Sequence, residues 1–425
     1  MSCKSSALCL FDNQDVQMDI IGNTMTDFHP INPISQRSPI EFLIRGTPDD
    51  YIDLGATRIL FQLEIKKTDG KAWDADDKVA FVNQVLASVF QDAILKINNK
   101  QVEGGQHMYP YIAYLSSLID FHPSAKKTHM QAWGWHEDTP GKFDDAANEG
   151  FQIREQETEG GKSWEIMGPL FFDMTRQSRY LLPQTDLQFK FWPSKADFVL
   201  HSLKHTEYDY TFKKCIMYVR RVQVMDSVIS GHNLGLEKYN AKYFINRTDV
   251  STFTITKGVS SYIKDNLFTA QVPKILIVGM LEHDTYNGNI KKSPFNFQHF
   301  NLNKIGLYRD GELVPGQLLT PDYQKGFYMR EYTNTMSTLN FFNSDDSNGM
   351  TMEHFLHGYN LYAFDLTPDN TNQGPHRHLI KTGSLRLEMG FSKVLSQPIT
   401  VMLFAVLDAK LEITKLRDVY MSYSR

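Results

Sequence analysis

Apolar and polar residues alternate with a period of two through much of this chain. Ile59, Phe61, Leu63 and Ile65 interleave with Leu60, Gln62, Glu64 and Lys66, the signature of a strand with one buried and one largely wetted face. The same habit returns at Leu187–Phe191, Ile216–Val224, Phe253–Ile255, Leu385–Met389 and Val401–Ile413. Turn residues punctuate the runs. Asn98-Asn99 separates Ile94–Ile97 from Lys100–Val102, and Asp310-Gly311 separates Ile305–Arg309 from Glu312-Leu313; both pairs favour the left-handed backbone of a tight hairpin. Helical periodicity is sparse. Tyr111, Tyr114, Leu115, Leu118 and Ile119 fall at i, i+3, i+4, i+7 and i+8, which predicts an amphipathic helix of about three turns. Short strands, long turn-rich loops and little helix predict an all-β chain of antiparallel sandwiches.

The order of these elements repeats. In each half a strand–hairpin–strand unit leads to a helix-like segment, a Phe-Asp-x-Thr tetrapeptide and two closing strands. The tetrapeptides are Phe172-Asp173-Met174-Thr175 and Phe364-Asp365-Leu366-Thr367. At 425 residues the chain exceeds the roughly 250–300 at which single cores stop growing, so two tandem units are expected. We divide it into an extended arm (1–38), a first jelly roll (39–229), a linker (230–235, Ser230 to Gly235) and a second jelly roll (236–425), each roll an eight-stranded antiparallel sandwich with short helices in its loops. Pro30 and Pro33 forbid regular helix in the arm, and Phe28, Ile31 and Ile34 favour its docking along a neighbour. Residues 136–163, the most polar stretch, are expected to form a surface excursion. The segments 343–349 and 368–375 are expected to be surface loops.

Composition narrows the function classes. Hydrophobic content of 41% and charged content of 22% are ordinary for a globular protein, while 28 Phe and 20 Tyr suit broad sheet packing. The net charge of −5 and the lack of a basic block disfavour sequence-specific or other direct nucleic-acid binding by the folded body. Cys3, Cys9 and Cys215 fit neither a disulfide framework nor a zinc pattern and are expected to be reduced thiols of an intracellular product. No secretory leader is expected, because Asp12 and Asp15 interrupt the short apolar run Ser5–Phe11. The most apolar stretch, Ile399–Leu407, is far below the ~20 residues that span a bilayer. The glycosylation sequon Asn246-Arg247-Thr248 is read as accidental on these grounds.

Candidate chemistry fails on spacing. Gly161-Lys162-Ser163 ends like a phosphate-binding loop, yet Gln156 stands where its first glycine belongs. His376-Arg377-His378 lacks the downstream carboxylate and later histidine of a metal-binding sandwich. His201 and His205 lack the metalloprotease glutamate, since Ser202 follows His201, and His354 and His357 lack a third ligand. Asp74-Ala75-Asp76-Asp77 opens like a calcium loop but has Val79 and Val85 where glycine and glutamate are required. No catalytic, cofactor-binding or metal residues are assigned, no cofactor is expected, and the chain is read as a non-enzyme.

Three segments resemble the major capsid protein of Polinton (Maverick) elements and adintoviruses. They are Pro39–Phe42 with Asp49–Leu54; Asp77–Gln84 with Leu86–Phe90; and Tyr109–Leu115 with Ala125-Lys126-Lys127. The resemblance covers much of residues 39–130 and is otherwise one of layout. It implies a double jelly roll of the lineage of adenovirus hexons and virophage capsids. Three chains would form a homotrimeric, pseudo-hexagonal capsomer, and capsomers would tile an icosahedral shell. The implied partners are further copies, a single jelly-roll penton protein at fivefold vertices and minor capsid proteins, with membrane contact left open. The implied place is the virion capsid, after synthesis and assembly in the host cytoplasm or nucleus. On this reading the helix Tyr109–Ile119, as an exposed tyrosine-rich patch, and the loops after it make shoulder or trimer contacts. The arm either tethers capsomers or reaches the shell interior, with a disordered tail as the alternative. A two-domain β-sandwich module binding glycans or proteins is the main alternative function, ahead of a metal-dependent oxygenase.

Overall fold

The computed structural model describes residues 16–36, 38–74, 77–203, 207–372 and 377–422. Cys3, Cys9, His205, His376 and the middle of the calcium-like segment lie outside them. In the first half the strands are β1 (Ile20–Phe28), β2 (Ile40–Ile44), β3 (Tyr51–Lys67), β4 (Val79–Phe81), β5 (Phe90–Ile97), β6 (Lys100–Glu103), β7 (Trp164–Pro169), β8 (Leu187–Pro193), β9 (Leu200–Ser202) and β10 (Tyr208–Val224). In the second they are β11 (Ala241–Ile255), β12 (Ser261–Lys264), β13 (Ile275–Glu282), β14 (Leu302–Arg309), β15 (Glu312–Leu319), β16 (Leu361–Asp365), β17 (Leu385–Phe391), β18 (Ile399–Ile413) and β19 (Val419–Met421).

The sheets of the two halves have matching orders. One pair reads β1-β10-β3-β7 and β2-β8-β5-β6; the other reads β11-β18-β13-β16 and β12-β17-β14-β15. Strand by strand, these are the same two four-stranded antiparallel sheets wound in the same sequence. β19 is appended to β18, and β4 pairs with β9 beside the first sandwich. The chain is a double jelly roll, all-β with short helices in its loops.

Side-chain alternation explains the layers. Ile59, Phe61, Leu63 and Ile65 of β3 are buried, while Gln62 and Glu64 face outward with partial exposure. Phe61 and Phe212 from one sheet meet Phe90 of the other edge-on and stacked, with centroids 5.7 and 5.6 Å away. β18 is buried along almost its whole length because it lies between β11 and β13. That central station accounts for the most apolar run in the chain. Both hairpins turn as expected: Asn98 and Asn99 have φ of 47° and 65°, and Asp310 and Gly311 have 52° and 88°. The tetrapeptides also hold equivalent places, one just after β7 and the other closing β16, with Phe172 and Phe364 buried.

The structure adds detail to four of these segments. Residues 20–28 of the supposed arm are β1, the edge strand of a first-half sheet, paired with β10. Phe28 and Ile34 pack against the core, but Ile31 is exposed. The supposed linker lies inside a helix, Asp226–Leu236, which joins β10 to β11. The polar stretch 136–163 is a built insertion with a helix at Glu149–Thr158. Phe143 and Phe151 anchor it in the interior, Asn148 caps its helix, and a buried Arg154–Asp138 ion pair at 2.6 Å crosses it. Arg154 also donates to the carbonyls of Phe81 and His136, so its charge is fully engaged. In the loop 343–349, Asn348 is buried rather than on the surface.

A turn variant isolates the hairpin's backbone requirement. An added Cβ at Gly311 would meet nothing within 4 Å, so only its φ of +88° resists substitution. We predict that Gly311→Val destabilises the fold by about 1–2 kcal/mol in urea titration. A stability equal to wild type would show that this turn is not held in the left-handed conformation.

Candidate functional site: the seam between the halves

The helix Tyr109–Asp120 sits where the two sandwiches meet. Its apolar face has the predicted spacing, but Tyr109, Tyr111 and Tyr114 are buried, which corrects the reading of an exposed tyrosine patch. Tyr109 packs on Phe172 and Phe191 of its own half, while second-half aromatics cover Tyr111 and Tyr114. Tyr114 lies flat on Phe295, with centroids 4.0 Å apart and planes 5° from parallel, and stacks on Trp135 at 5.3 Å. Tyr111 contacts Phe295 edge-on at 5.7 Å and stacks on Tyr286 at 5.9 Å. Such pairs contribute roughly 0.5–1.5 kcal/mol each beyond the area they bury.

The insertion 136–163 closes the seam from a second side. Phe143 packs edge-on against Tyr359 at 5.6 Å, and the Ser293 amide donates to Asp144 at 2.6 Å. Gly358 has φ +140°, and a Cβ there would fall 2.0 Å from the Phe143 ring, so only glycine admits this approach. Lys126 donates to the carbonyls of Leu118 and Asn348, and burial lowers its pKa to about 8. At another end, Asn98 and Lys100 of the first hairpin donate to the carbonyls of Arg417 and Val419.

A carboxylate relay forms a fourth tie. Glu103 at the end of β6 accepts the amides of Asp173 and Met174 at 2.6 and 2.7 Å. Asp173 in turn accepts the amide and hydroxyl of Thr248 on β11 at 2.8 and 3.1 Å. Burial raises the pKa of both acids, and the neighbouring Asp173 charge lifts Glu103 further, to about 8. The second tetrapeptide behaves differently: Asp365 accepts from Thr367 and Asn372 of its own half.

The residues singled out for chemistry are dispersed. His201 is buried against Phe151 and contacts the Lys291 carbonyl at 3.3 Å; burial holds its pKa down to about 4. His354 stacks on Tyr359 and, with Thr351, caps a short helix. His378 faces Asp369, and Arg377 pairs with Asp408 at 3.2 Å. Asp77 is bound by Lys67 and by the Tyr208 hydroxyl, and Gly161 abuts Trp73. Asn246 of the sequon lies within β11 and accepts from Lys274. Cys215 is buried, which pushes its thiol up to about 12. Among the described residues, no group of three or more His, Cys, Asp or Glu is placed to hold a metal ion. Phe295, Tyr286 and Tyr359 were not flagged by periodicity, since they lie on loops, a short helix turn and a strand approach; an aromatic excess in such segments was the available signal.

These ties join the two barrels, and comparison with known proteins identifies their fold. No protein-family model matches the chain. A curated relative, an uncharacterized protein of Caenorhabditis elegans, is 21% identical over 350 residues, which are 79% of this chain and 82% of that one. Among solved structures, a chain of the Sputnik virophage superposes with a TM-score of 0.68 at 15% identity, covering 98% of this chain and 91% of its own. The PBCV-1 virus capsid gives 0.60 at 10% identity, with 98% and 100% covered. The mavirus major capsid protein gives 0.56 at 10% identity, with 98% and 93% covered. The fold is that of double jelly-roll viral capsid proteins, over both barrels and in one superposition.

The relay makes stability depend on pH. Its acids have folded pKa values above their unfolded ones, so their stabilising contribution is complete below the usual carboxylate range. It is lost as pH rises through the folded values, toward about 8 for Glu103. We predict a thermal midpoint that falls between pH 5 and 8, and a flatter profile for Glu103→Gln, read by circular dichroism melts. Identical wild-type and variant profiles would exclude the relay as the source.

Proposed function

We propose that this chain is a major capsid protein of the Polinton and adintovirus kind, whose homotrimers tile an icosahedral shell. The observation that carries the proposal is the superposition of 98% of the chain, both barrels together, on a virophage chain. A lone sandwich shared with unrelated binding modules would not extend through the seam. The resemblance at residues 39–130 supports the narrower family. The match to a nematode protein over most of both chains is what an element resident in an animal genome would show.

The proposed role is mechanical. Two copies of one barrel in a rigid body let a threefold assembly fill sixfold lattice positions while each half diverges. Such a trimer needs a large, obligate interface, of several thousand Å2 per trimer. The chain works as a building block rather than an enzyme. Its partners are copies of itself, then a vertex protein and minor capsid proteins, and its place is the virion shell.

We predict that the purified chain has the light-scattering mass of three chains, holds it through hundred-fold dilution, and shows six-lobed tiles in negative stain. A stable monomer at every concentration would overturn the capsomer assignment.

A further inference from the structure

The two halves share a topology but differ in how their outermost strands are covered. β11 is the edge of its sheet, as β1 is of its own. The first half covers β11 closely. Asp173 takes the Thr248 amide, Arg179 donates to the Lys242 carbonyl, and the Tyr243 hydroxyl bridges the Leu182 amide and the Tyr180 carbonyl. Tyr243, Ile245 and Arg247 are buried as a result. These contacts come from the first tetrapeptide and the loop that follows it.

β1 has no such cover. Among the described residues, no hydrogen bond reaches its outer edge between Gly22 and Phe28, and Asn23, Thr24 and Met25 are exposed in succession. Ile21 is 68% exposed and Met25 54%. A bare strand edge with apolar side chains is a template for pairing with another chain.

The second half has the matching receptor. Each half carries a cleft between its hairpin and its tetrapeptide, of about 360 Å3 in the first and about 350 Å3 in the second. Arg247 and Thr248 of β11 wall the first cleft. The second is lined by Leu366, Thr367, Pro368 and the loop residues 378–382, and among the described residues none of the first half lines it. In that loop Leu379 is 81% exposed and Ile380 48%. They follow the second tetrapeptide as Arg179–Leu182 follow the first.

We infer that β1 of one copy docks at the cleft beside Leu366, Thr367, Leu379 and Ile380 of a second copy, repeating between chains the contact that β11 makes within one. The inference rests on the capsomer reading and names its interface. The contact is head-to-tail, so each chain offers one donor strand and one receptor cleft, and a ring closes only when every copy has both.

The test uses the full chain with either face damaged. One variant carries Ile21→Asp and Met25→Asp; the other carries Leu379→Asp and Ile380→Asp. Val394→Asp, at an exposed site in another loop, is the control. Each face variant is expected to drop from the mass of three chains to that of one. Mixing the two in equal amounts restores a single good contact, so the mixture should reach two chains and stop. Hydrogen exchange gives a second readout: those amides of Asn23–Met25 that do not bond to β10 should exchange at least ten-fold more slowly in assembled wild type than in the Leu379/Ile380 variant. Face variants that keep the mass of three chains, or β1 amides that exchange equally fast in both, would overturn the docking surface while leaving the capsomer standing. A wild type that is monomeric throughout would overturn both.

Discussion

The fixed arrangement of the two barrels depends first on the stack of Tyr114 on Phe295. Two sandwiches joined by one helix at Asp226–Leu236 would swing about that joint, since all but Leu236 of its residues remain at least partly exposed. Domain interfaces within a chain are mobile by default unless they are large and apolar. Here the interface is a column of rings, Trp135 on Tyr114 on Phe295 with Tyr111 beside it, and neither half could bury those rings alone. The relay through Glu103, Asp173 and Thr248 adds direction to a contact that stacking by itself would let slide. The proposed place in a shell would require a fixed angle between barrels, which this seam would supply.

Duplication and divergence can be followed at single residues. Both tetrapeptides place a phenylalanine in the core; Asp365 ends β16, whereas Asp173 opens a short turn after β7. Asp173 reaches across to the other half, whereas Asp365 closes a turn on Thr367. The helices that precede them differ in the same way. The first, at Tyr109–Asp120, is buried in the seam; its counterpart at Met329–Thr338 keeps Met329 and Arg330 in solvent. One copy has been shaped for contact within the chain.

The repeat, the hairpins and the antiparallel sandwich class were legible in the sequence because each depends on neighbours in sequence. Asn98-Asn99 and Asp310-Gly311 need only their own positive φ angles, and β3 needs only alternation. What lay hidden depended on distant partners. The spacing of Tyr111 and Tyr114 revealed an apolar helix face but not that Phe295 and Tyr286 cover it from about 180 residues away, so the face was read as exposed. In the insertion, Phe143 and Phe151 were outweighed by their many polar neighbours, although two anchors and the Arg154–Asp138 pair suffice to fix it. β1 is not legible, because an edge strand wetted on both faces at Thr24 carries little alternation and two prolines follow it. The site is thus mostly a product of the tertiary fold.

Scanning calorimetry of the full chain tests the rigid-body account most directly. The account requires that wild type unfold in one transition, both barrels together, and that Tyr114→Ala split it in two, at an overall cost of about 3–5 kcal/mol. Two separate transitions in the wild-type protein, unchanged by the substitution, would contradict it.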